Sequence, residues 1–179
     1  MRLNLKQKIN INKYISANKL EVTAIKKLVL FILTILLSLG LCGCSYRDWV
    51  AASLPEYNSK VFYTSGGWQD YTDYAKYSYD SITAQDIEAS RYFTAATEED
   101  VEEILLYIEN FEAWVEAVGG ELKDNYDFDK TNVSEGDFFY IETKYGEPIG
   151  ERTYGKFENY TVFYFDVDAQ VLYYFYNNI

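Results

Sequence analysis

Two consecutive segments near the carboxyl end of the chain place apolar or aromatic side chains on both of their faces. In residues 160–166, one face carries Thr161, Phe163 and Phe165, and the other carries Tyr160, Val162 and Tyr164. Residues 171–176, VLYYFY, repeat this pattern. A strand with one face in water alternates polar with apolar residues, so both segments are predicted to be strands covered on both sides. The short link between them predicts an antiparallel hairpin.

A small domain can accommodate such a strand pair in two ways. Either its amino-terminal strands, or the segment before them, wrap over the second face, or a tyrosine-rich face stays open to solvent. We expect coverage together with ordinary cross-strand aromatic pairing, because tyrosine is amphipathic and stiffens sheets.

Two helices have clear start signals. Thr83 is followed three residues later by Asp86, a spacing typical of a helix cap that predicts a short helix ending near residue 90. Thr97 precedes three acidic residues, and an apolar stripe then continues to the glycine pair at 119–120, which favours an amphipathic helix over residues 97–118. The stripe consists of Val101, Ile104, Leu105, Ile108, Phe111, Val115 and Val118.

Two further regions favour strands. Residues 137–144 contain FFYIET, and residues 61–80 are rich in tyrosine on both sides of a glycine pair. In this second region one face, interrupted by Asp73, carries residues at period two, namely Tyr71, Ala75, Tyr77 and Tyr79. We therefore predict one α+β domain over residues 60–179, in which one long and one short helix cover one face of an antiparallel, tyrosine-rich sheet.

The amino-terminal region has the pattern of an export signal. Two lysines lead into an apolar run over residues 28–42, which is shorter than the roughly 20 residues that a spanning helix needs. The run ends in Leu41-Cys42-Gly43-Cys44, which resembles the lipobox of bacterial lipoproteins. The resemblance implies that the thiol of Cys44 receives a diacylglycerol and that cleavage occurs between Gly43 and Cys44. Residues 1–43 are then a signal peptide with a long amino-terminal region, and translation is expected to start near Val22. The alternative is a short, uncleaved membrane anchor.

Charge changes sign at this cysteine. The preceding residues have a net charge of +6, and the following residues have a net charge of −18. Such an acidic domain is repelled by phosphate backbones and anionic lipids, so nucleic-acid binding is not expected and membrane contact is expected through the lipid alone. The acidic surface favours a soluble monomer; the alternative is binding of cations or basic partners.

Residues 44–59 are predicted to be a lipidated anchor and a spacer, because they are mostly small or polar and include Pro55. Docking of Trp49, Val50 and Leu54 onto the domain is the alternative. The following segments resemble a group of small secreted or lipid-anchored proteins of clostridial-type bacteria: WQDYTDYAKYSYD, TEEDVEEILLYIENFEAWV, YDFD, GDFFYIETKYGEPIG and NYTVFYFDVDAQVLYYFYNNI. That resemblance implies a bacterial origin and a domain boundary, and it implies no activity.

The residue inventory excludes several kinds of catalysis. The chain has no histidine, and its cysteines are removed with the signal or acylated, which excludes Ser-His-Asp and Cys-His catalysis and zinc sites built on those residues. No cofactor is expected. Two carboxylates remain sufficient for glycoside hydrolysis, but spacing in sequence selects no pair among the acidic residues. We therefore expect a protein without enzymatic activity, with a carboxylate-dependent cell-wall hydrolase as an alternative.

Two sets of residues are candidates for binding. Trp68, Tyr71, Tyr74 and Tyr77 form a possible platform for a sugar ring or an extended peptide, and the alternative is that they belong to the sheet core. Calcium prefers oxygen ligands such as those in the clusters Asp124, Asn125, Asp127 and Asp129, and Asp166 with Asp168. Neither cluster fits an EF-hand loop, and a polar loop and a hairpin turn are the simpler explanation.

The sequence thus predicts a lipoprotein on the extracytoplasmic face of the cell membrane that serves as a binding or interaction module for a glycan, a peptide or an envelope protein. The alternative to this function is a calcium-stabilised structural or adhesive protein.

Overall fold

A computed structural model describes residues 46–66 and 70–179 of the chain. The helices are α1 Tyr46–Ala51, α2 Ala84–Glu88, α3 Glu98–Val118 and α4 Gly120–Asn125, with a 3-10 turn at Lys130–Asn132. The strands are β1 Ser59–Gly66, β2 Tyr71–Ser78, β3 Thr94–Ala95, β4 Phe138–Thr143, β5 Pro148–Ile149, β6 Arg152–Thr153, β7 Asn159–Asp166 and β8 Val171–Asn178. Within these ranges, no helix has both the length and the apolar character needed to cross a bilayer.

Six strands form one antiparallel sheet in the order β1-β2-β8-β7-β4-β3, and β5 and β6 form a separate ribbon. The hairpin predicted at the carboxyl end is confirmed: β7 pairs with β8 from Asn159–Asn178 to Asp166–Val171. Gln170 completes its turn with φ of 57°, a left-handed conformation that is uncommon outside glycine. The hairpin lies at the centre of the sheet, so both of its faces need cover.

The first face of the sheet packs against the long helix. Apolar residues of α3 and α4 meet side chains that point to this face from β2, β7 and β8, and the fully buried members include Tyr74, Ile104, Ile108, Phe111, Leu122, Tyr160, Val162, Tyr164 and Phe175. The amphipathic stripe of α3 thus meets its partner, although Val118 at the end of the stripe is exposed. The α+β fold is confirmed, with one long and one short helix over this face.

The second face is also covered. Helices α1 and α2 and the loops beside them form a second core with this face. They contribute Val50, Ala51, Leu54, Tyr79, Ile82, Ile87 and Phe93. They pack on the side of the sheet that carries Ala75, Tyr77, Phe163, Phe165, Leu172 and Tyr174. The expected coverage of both faces is therefore confirmed. The short helix predicted from the Thr83 cap, α2, lies here, so the prediction that it covers the same face as the long helix is wrong; the short helix beside α3 is α4.

The segment predicted to be a spacer is part of the fold from Tyr46 onward. Val50 and Ala51 are fully buried, and Leu54 is nearly so. The compact unit accordingly runs from Tyr46 to Ile179 rather than starting at residue 60. The spacer prediction was wrong because small residues such as Ala51 suit close packing as well as a flexible linker. The predicted signal peptide and Cys44 lie outside the described residues.

Both predicted helix caps are present. The Thr83 hydroxyl accepts a hydrogen bond from the backbone N–H of Asp86 at 3.2 Å, and the Asp86 carboxylate accepts one from the Thr83 N–H at 2.9 Å. Thr97 and Asp100 repeat this reciprocal box at the start of α3. Gly119 ends α3 with φ of 64°, a conformation that glycine adopts without strain. The local signals therefore set the helix bounds as predicted.

Candidate functional site

An aspartate lies on the covered second face of the sheet, where the paired positions on the two adjacent strands are uncharged. Asp73 is central in β2, paired in register with Thr64 of β1 and with Tyr176 of β8. Only 8% of its surface is exposed. Its Oδ1 atom is buried and has no hydrogen-bond partner. A buried carboxylate oxygen without a partner is costly, because the group has lost water and gained nothing in exchange.

Two tyrosines, Tyr71 and Tyr176, are neighbours of Asp73 on this face of the sheet. Tyr71 precedes it by two residues and therefore shares its face of the sheet, and the Tyr71 and Tyr176 ring centroids are 5.3 Å apart. Tyr71 is 36% exposed, so its ring is accessible to solvent at this end of the sheet. Phe62, on the same face of β1, is also partly exposed. Two accessible aromatic rings thus flank the aspartate.

A buried arginine lies on the other side. Arg47 projects from α1 onto the sheet, with its guanidinium carbon 4.0 Å from the centroid of the Phe62 ring and 5.5 Å from that of Tyr174. Its side chain is 13% exposed, and its Nε is 3.5 Å from Asp48 Oδ1. Guanidinium groups are weakly hydrated and stack well on aromatic faces, which explains an arginine in this position. We call Arg47, Thr64, Tyr71, Asp73 and Tyr176 the Asp73 cluster.

The electrostatics of the cluster follow from these neighbours. Burial raises the pKa of the Asp73 carboxyl, while a hydrogen bond with Thr64 and the charge of Arg47 act in the opposite direction. Burial also raises the pKa of Tyr176, and the adjacent Tyr71 adds to this effect. The cluster therefore combines a carboxyl group that resists ionisation, a guanidinium, and the Tyr176 hydroxyl, whose pKa is raised by burial.

The predicted aromatic platform is not assembled. Tyr74 and Tyr77 are both fully buried, and they point to opposite faces of the sheet because β2 alternates. The Tyr74 hydroxyl donates to Asp127 Oδ1 at 2.9 Å, and the Tyr77 hydroxyl donates to Asp48 Oδ1 at 3.3 Å. Both rings serve the core. Of the predicted set only Tyr71 is accessible among the described residues, and Trp68 lies outside them.

The predicted calcium ligands are used separately. Asp127 forms an ion pair with Lys76, and Asp129 accepts a hydrogen bond from the Thr131 N–H at 2.9 Å, which caps the 3-10 turn. Asp124 lies at the exposed end of α4. Nowhere in residues 46–66 and 70–179 do three or more carboxylates or thiols converge as a metal ion requires. The structure therefore does not bring Asp124, Asp127 and Asp129 together.

Two other buried carboxylates hold loops in place. Asp137 accepts hydrogen bonds from the Ser134 hydroxyl at 2.8 Å, from the Val167 N–H at 2.9 Å and from the Tyr164 hydroxyl. Asp166 accepts one from the Ala169 N–H at 2.7 Å, inside the β7–β8 turn that also contains Asp168.

The distance between Asp73 and Asp166 decides whether these two carboxylates can act as the catalytic pair of a glycosidase. Register aligns Asp73 with Tyr176 and Thr161, and Asp166 follows Thr161 by five residues. At about 3.4 Å per residue, the two carboxylates are about 17 Å apart along the strands. Glycosidases place their carboxyl pair within about 5 to 9.5 Å, so Asp73 and Asp166 do not form such a pair.

Comparison of the chain with protein-family models, with curated proteins and with solved structures finds no match. Sequence reasoning treated Asp73 as an interruption in an apolar face and did not single it out. A carboxylate placed at period two between Tyr71 and Ala75 is the signal that identifies it, since a charged residue on a covered face needs a specific reason to be there.

Proposed function

We propose that this chain is a bacterial lipoprotein, attached through Cys44 to the extracytoplasmic face of the cell membrane, and that its domain binds an envelope glycan without catalysing a reaction. The anchor is supported by the lysine pair, the apolar run over residues 28–42 and the motif Leu41-Cys42-Gly43-Cys44. The two acyl chains of a diacylglycerol meet the requirement of stable anchoring for two hydrophobic signals.

The observation that carries the binding proposal is the unpartnered Oδ1 of Asp73 beside the accessible ring of Tyr71. Aromatic rings stack on the apolar faces of sugars, and carboxylate and guanidinium groups bind sugar hydroxyls. Asp73 Oδ1 is shielded from solvent, so binding requires a neighbouring side chain to move and expose it. A hydroxyl of the ligand then provides the hydrogen bond that this oxygen lacks, which offsets part of its cost of burial.

A non-catalytic role fits the chemistry available. Asp137 and Asp166 accept hydrogen bonds from loop residues, and Asp73 lies about 17 Å from Asp166 along the strands. A binding module needs only a ligand-specific surface, and the Asp73 cluster provides one.

Two substitutions test the anchor. Cys44→Ser is expected to abolish incorporation of an alkyne-labelled fatty acid and to release the protein from the membrane fraction. Cys42→Ser is the matched control, because it removes a thiol two residues away and should leave labelling unchanged. Equal labelling of the two variants would exclude Cys44 as the site of acylation.

Retention on purified envelope glycan tests the binding surface. The mature protein in detergent is expected to be retained on insoluble peptidoglycan and associated wall polysaccharide, and Tyr71→Ala is expected to lose most of that retention. Tyr145→Ala is the control, since Tyr145 is 64% exposed and belongs to a different surface loop. Equal retention of both variants, or no retention of the unaltered protein, would refute glycan binding at the Asp73 cluster.

A further inference from the structure

A large aromatic side chain projects from the first helix of the fold into solvent. Trp49 in α1 is 61% exposed, although the next two residues, Val50 and Ala51, are fully buried in the second core. The helix is therefore fixed to the sheet by one side and presents the indole on the other. Exposed tryptophan costs free energy in water, but its amphipathic ring is favoured at the boundary between membrane and water.

The length of the intervening chain limits how far Trp49 can lie from a lipid on Cys44. Only Ser45 separates Cys44 from the start of α1, so the Cα atoms of Cys44 and Tyr46 are at most about 7 Å apart. The helix then rises about 1.5 Å per residue, which adds about 4.5 Å to Trp49. The total of about 12 Å compares with a headgroup layer roughly 5 to 8 Å thick on each side of the hydrocarbon. An acylated Cys44 thus keeps Trp49 within reach of that layer.

Charge favours the same orientation. Helix α3 carries eight acidic residues and no basic ones, and it packs on the opposite face of the sheet from α1. In α1 the one carboxylate, Asp48, is 2.5 Å from Lys60 Nζ and 3.5 Å from Arg47 Nε, and these neighbours hold its pKa below the ordinary value despite partial burial. An anionic bilayer therefore repels α3 more strongly than α1.

We propose that α1 lies against the bilayer with the Trp49 indole in the headgroup layer, so that the domain sits directly on the membrane with α3 turned away from it. This inference rests on the proposed acylation of Cys44. It changes the role of residues 46–54 from a spacer to a membrane-facing part of the fold. The occupant of the Trp49 surface is the lipid headgroup layer itself.

Tryptophan fluorescence tests the proposal, because the chain has only three tryptophans: Trp49, Trp68 and Trp114. The mature lipoprotein is reconstituted into vesicles of phosphatidylcholine and phosphatidylglycerol that contain brominated phosphatidylcholine as a quencher. A variant with Trp68→Phe and Trp114→Phe reports on Trp49 alone. The matched control carries Trp49→Phe and Trp68→Phe, and it reports on Trp114, which lies in α3.

The Trp49 reporter is expected to emit at shorter wavelength than in detergent-free buffer and to lose most of its emission in brominated vesicles, while the Trp114 reporter loses little. If the protein floats with the vesicles and both reporters are quenched equally, or Trp49 is not quenched, the orientation is wrong and the anchor stands. If the protein does not float with the vesicles, the proposed acylation fails and the orientation falls with it.

A second variant covers the case in which the tryptophan substitutions disturb the fold. Trp49→Cys in the otherwise unaltered mature chain gives a single free thiol, since Cys44 is acylated in the proposal. An environment-sensitive fluorophore on this thiol is expected to report an apolar environment in vesicles. The same label on Tyr145→Cys is expected to report water, and equal signals from the two positions would overturn the proposal.

Discussion

Replacement of Leu54 by alanine measures whether the residues that follow Cys44 belong to the core. Leu54 is 7% exposed and packs in the same cluster as Val50 and Ile87 on the second face of the sheet. Leucine-to-alanine substitutions in cores cost about 2–5 kcal/mol, and a site at the edge of a core should fall near the lower end, about 2–3 kcal/mol. For a domain of this size, that predicts a melting temperature lower by about 6–15 °C.

Trp49→Ala is the matched control, because it removes a larger side chain from the same segment at a position that is mostly exposed. Its effect on the free energy of unfolding is expected to stay within about 0.5 kcal/mol. Both variants are best compared with the unaltered mature protein by urea unfolding followed by far-ultraviolet circular dichroism, with the slope of the transition fitted separately. If Leu54→Ala unfolds at the same urea concentration as Trp49→Ala, residues 46–54 are a spacer and the domain boundary returns to residue 60.

Further substitutions, with controls, test the buried polar groups of Asp73, Asp137 and Tyr160. Burial raises the pKa of Asp73 above 3.8, so the folded state holds its proton at a pH where the unfolded chain has lost it, and stability falls as the pH rises through the folded pKa. Asp73→Asn should therefore gain stability relative to the unaltered protein at pH 7 and lose that gain near pH 3.5; a difference that does not change with pH would contradict the assignment. Asp137→Ala should cost about 2–4 kcal/mol in urea unfolding, because it removes the acceptor of three hydrogen bonds, whereas Asp168→Ala should stay within about 0.5 kcal/mol. Tyr160→Phe should lower the free energy of unfolding by about 1 kcal/mol, because the Tyr160 hydroxyl bonds Asn110. Tyr79→Phe should not lower it, because the Tyr79 hydroxyl is buried without a hydrogen-bond partner. Equal melting temperatures of the two variants would refute this.

The sequence predicted the elements of the fold more completely than their arrangement. The Thr83 and Thr97 caps and the apolar or aromatic residues on both faces of β7 and β8 are local patterns, and each appears where it was expected. The face on which α2 packs is decided by where the chain leaves β2, so no pattern around Ile87 encodes it. The same holds for Val50, whose burial depends on a sheet face built from residues more than a hundred positions later.

The candidate site was predicted only in part, for a related reason. Tyr71 was selected as a ligand-binding aromatic, and it is accessible, but Tyr74 and Tyr77 were selected with it and are buried. Tyrosine serves equally in a core and on a binding surface, so residue type alone does not separate the two roles. Arg47 and Asp73 come together only because α1 folds back over β2, which spacing in the sequence does not reveal.

The contacts of the tyrosine hydroxyls explain why this sheet uses tyrosine where phenylalanine would fill the same volume. The Tyr74 hydroxyl bonds Asp127, the Tyr77 hydroxyl bonds Asp48, and the Tyr160 hydroxyl lies 2.9 Å from Asn110 Oδ1. The Tyr164 hydroxyl bonds the carbonyl of Asn132 at 3.1 Å. In each case the ring packs in the core and the hydroxyl holds a helix or a loop that lies over the sheet. Residues 46–179 contain no cysteine, and hydrogen bonds rather than disulfides tie the outer segments to the centre of the sheet; α1 is one of those segments. Loss of the Tyr77–Asp48 bond would therefore loosen the part of the fold that the proposed orientation places on the membrane.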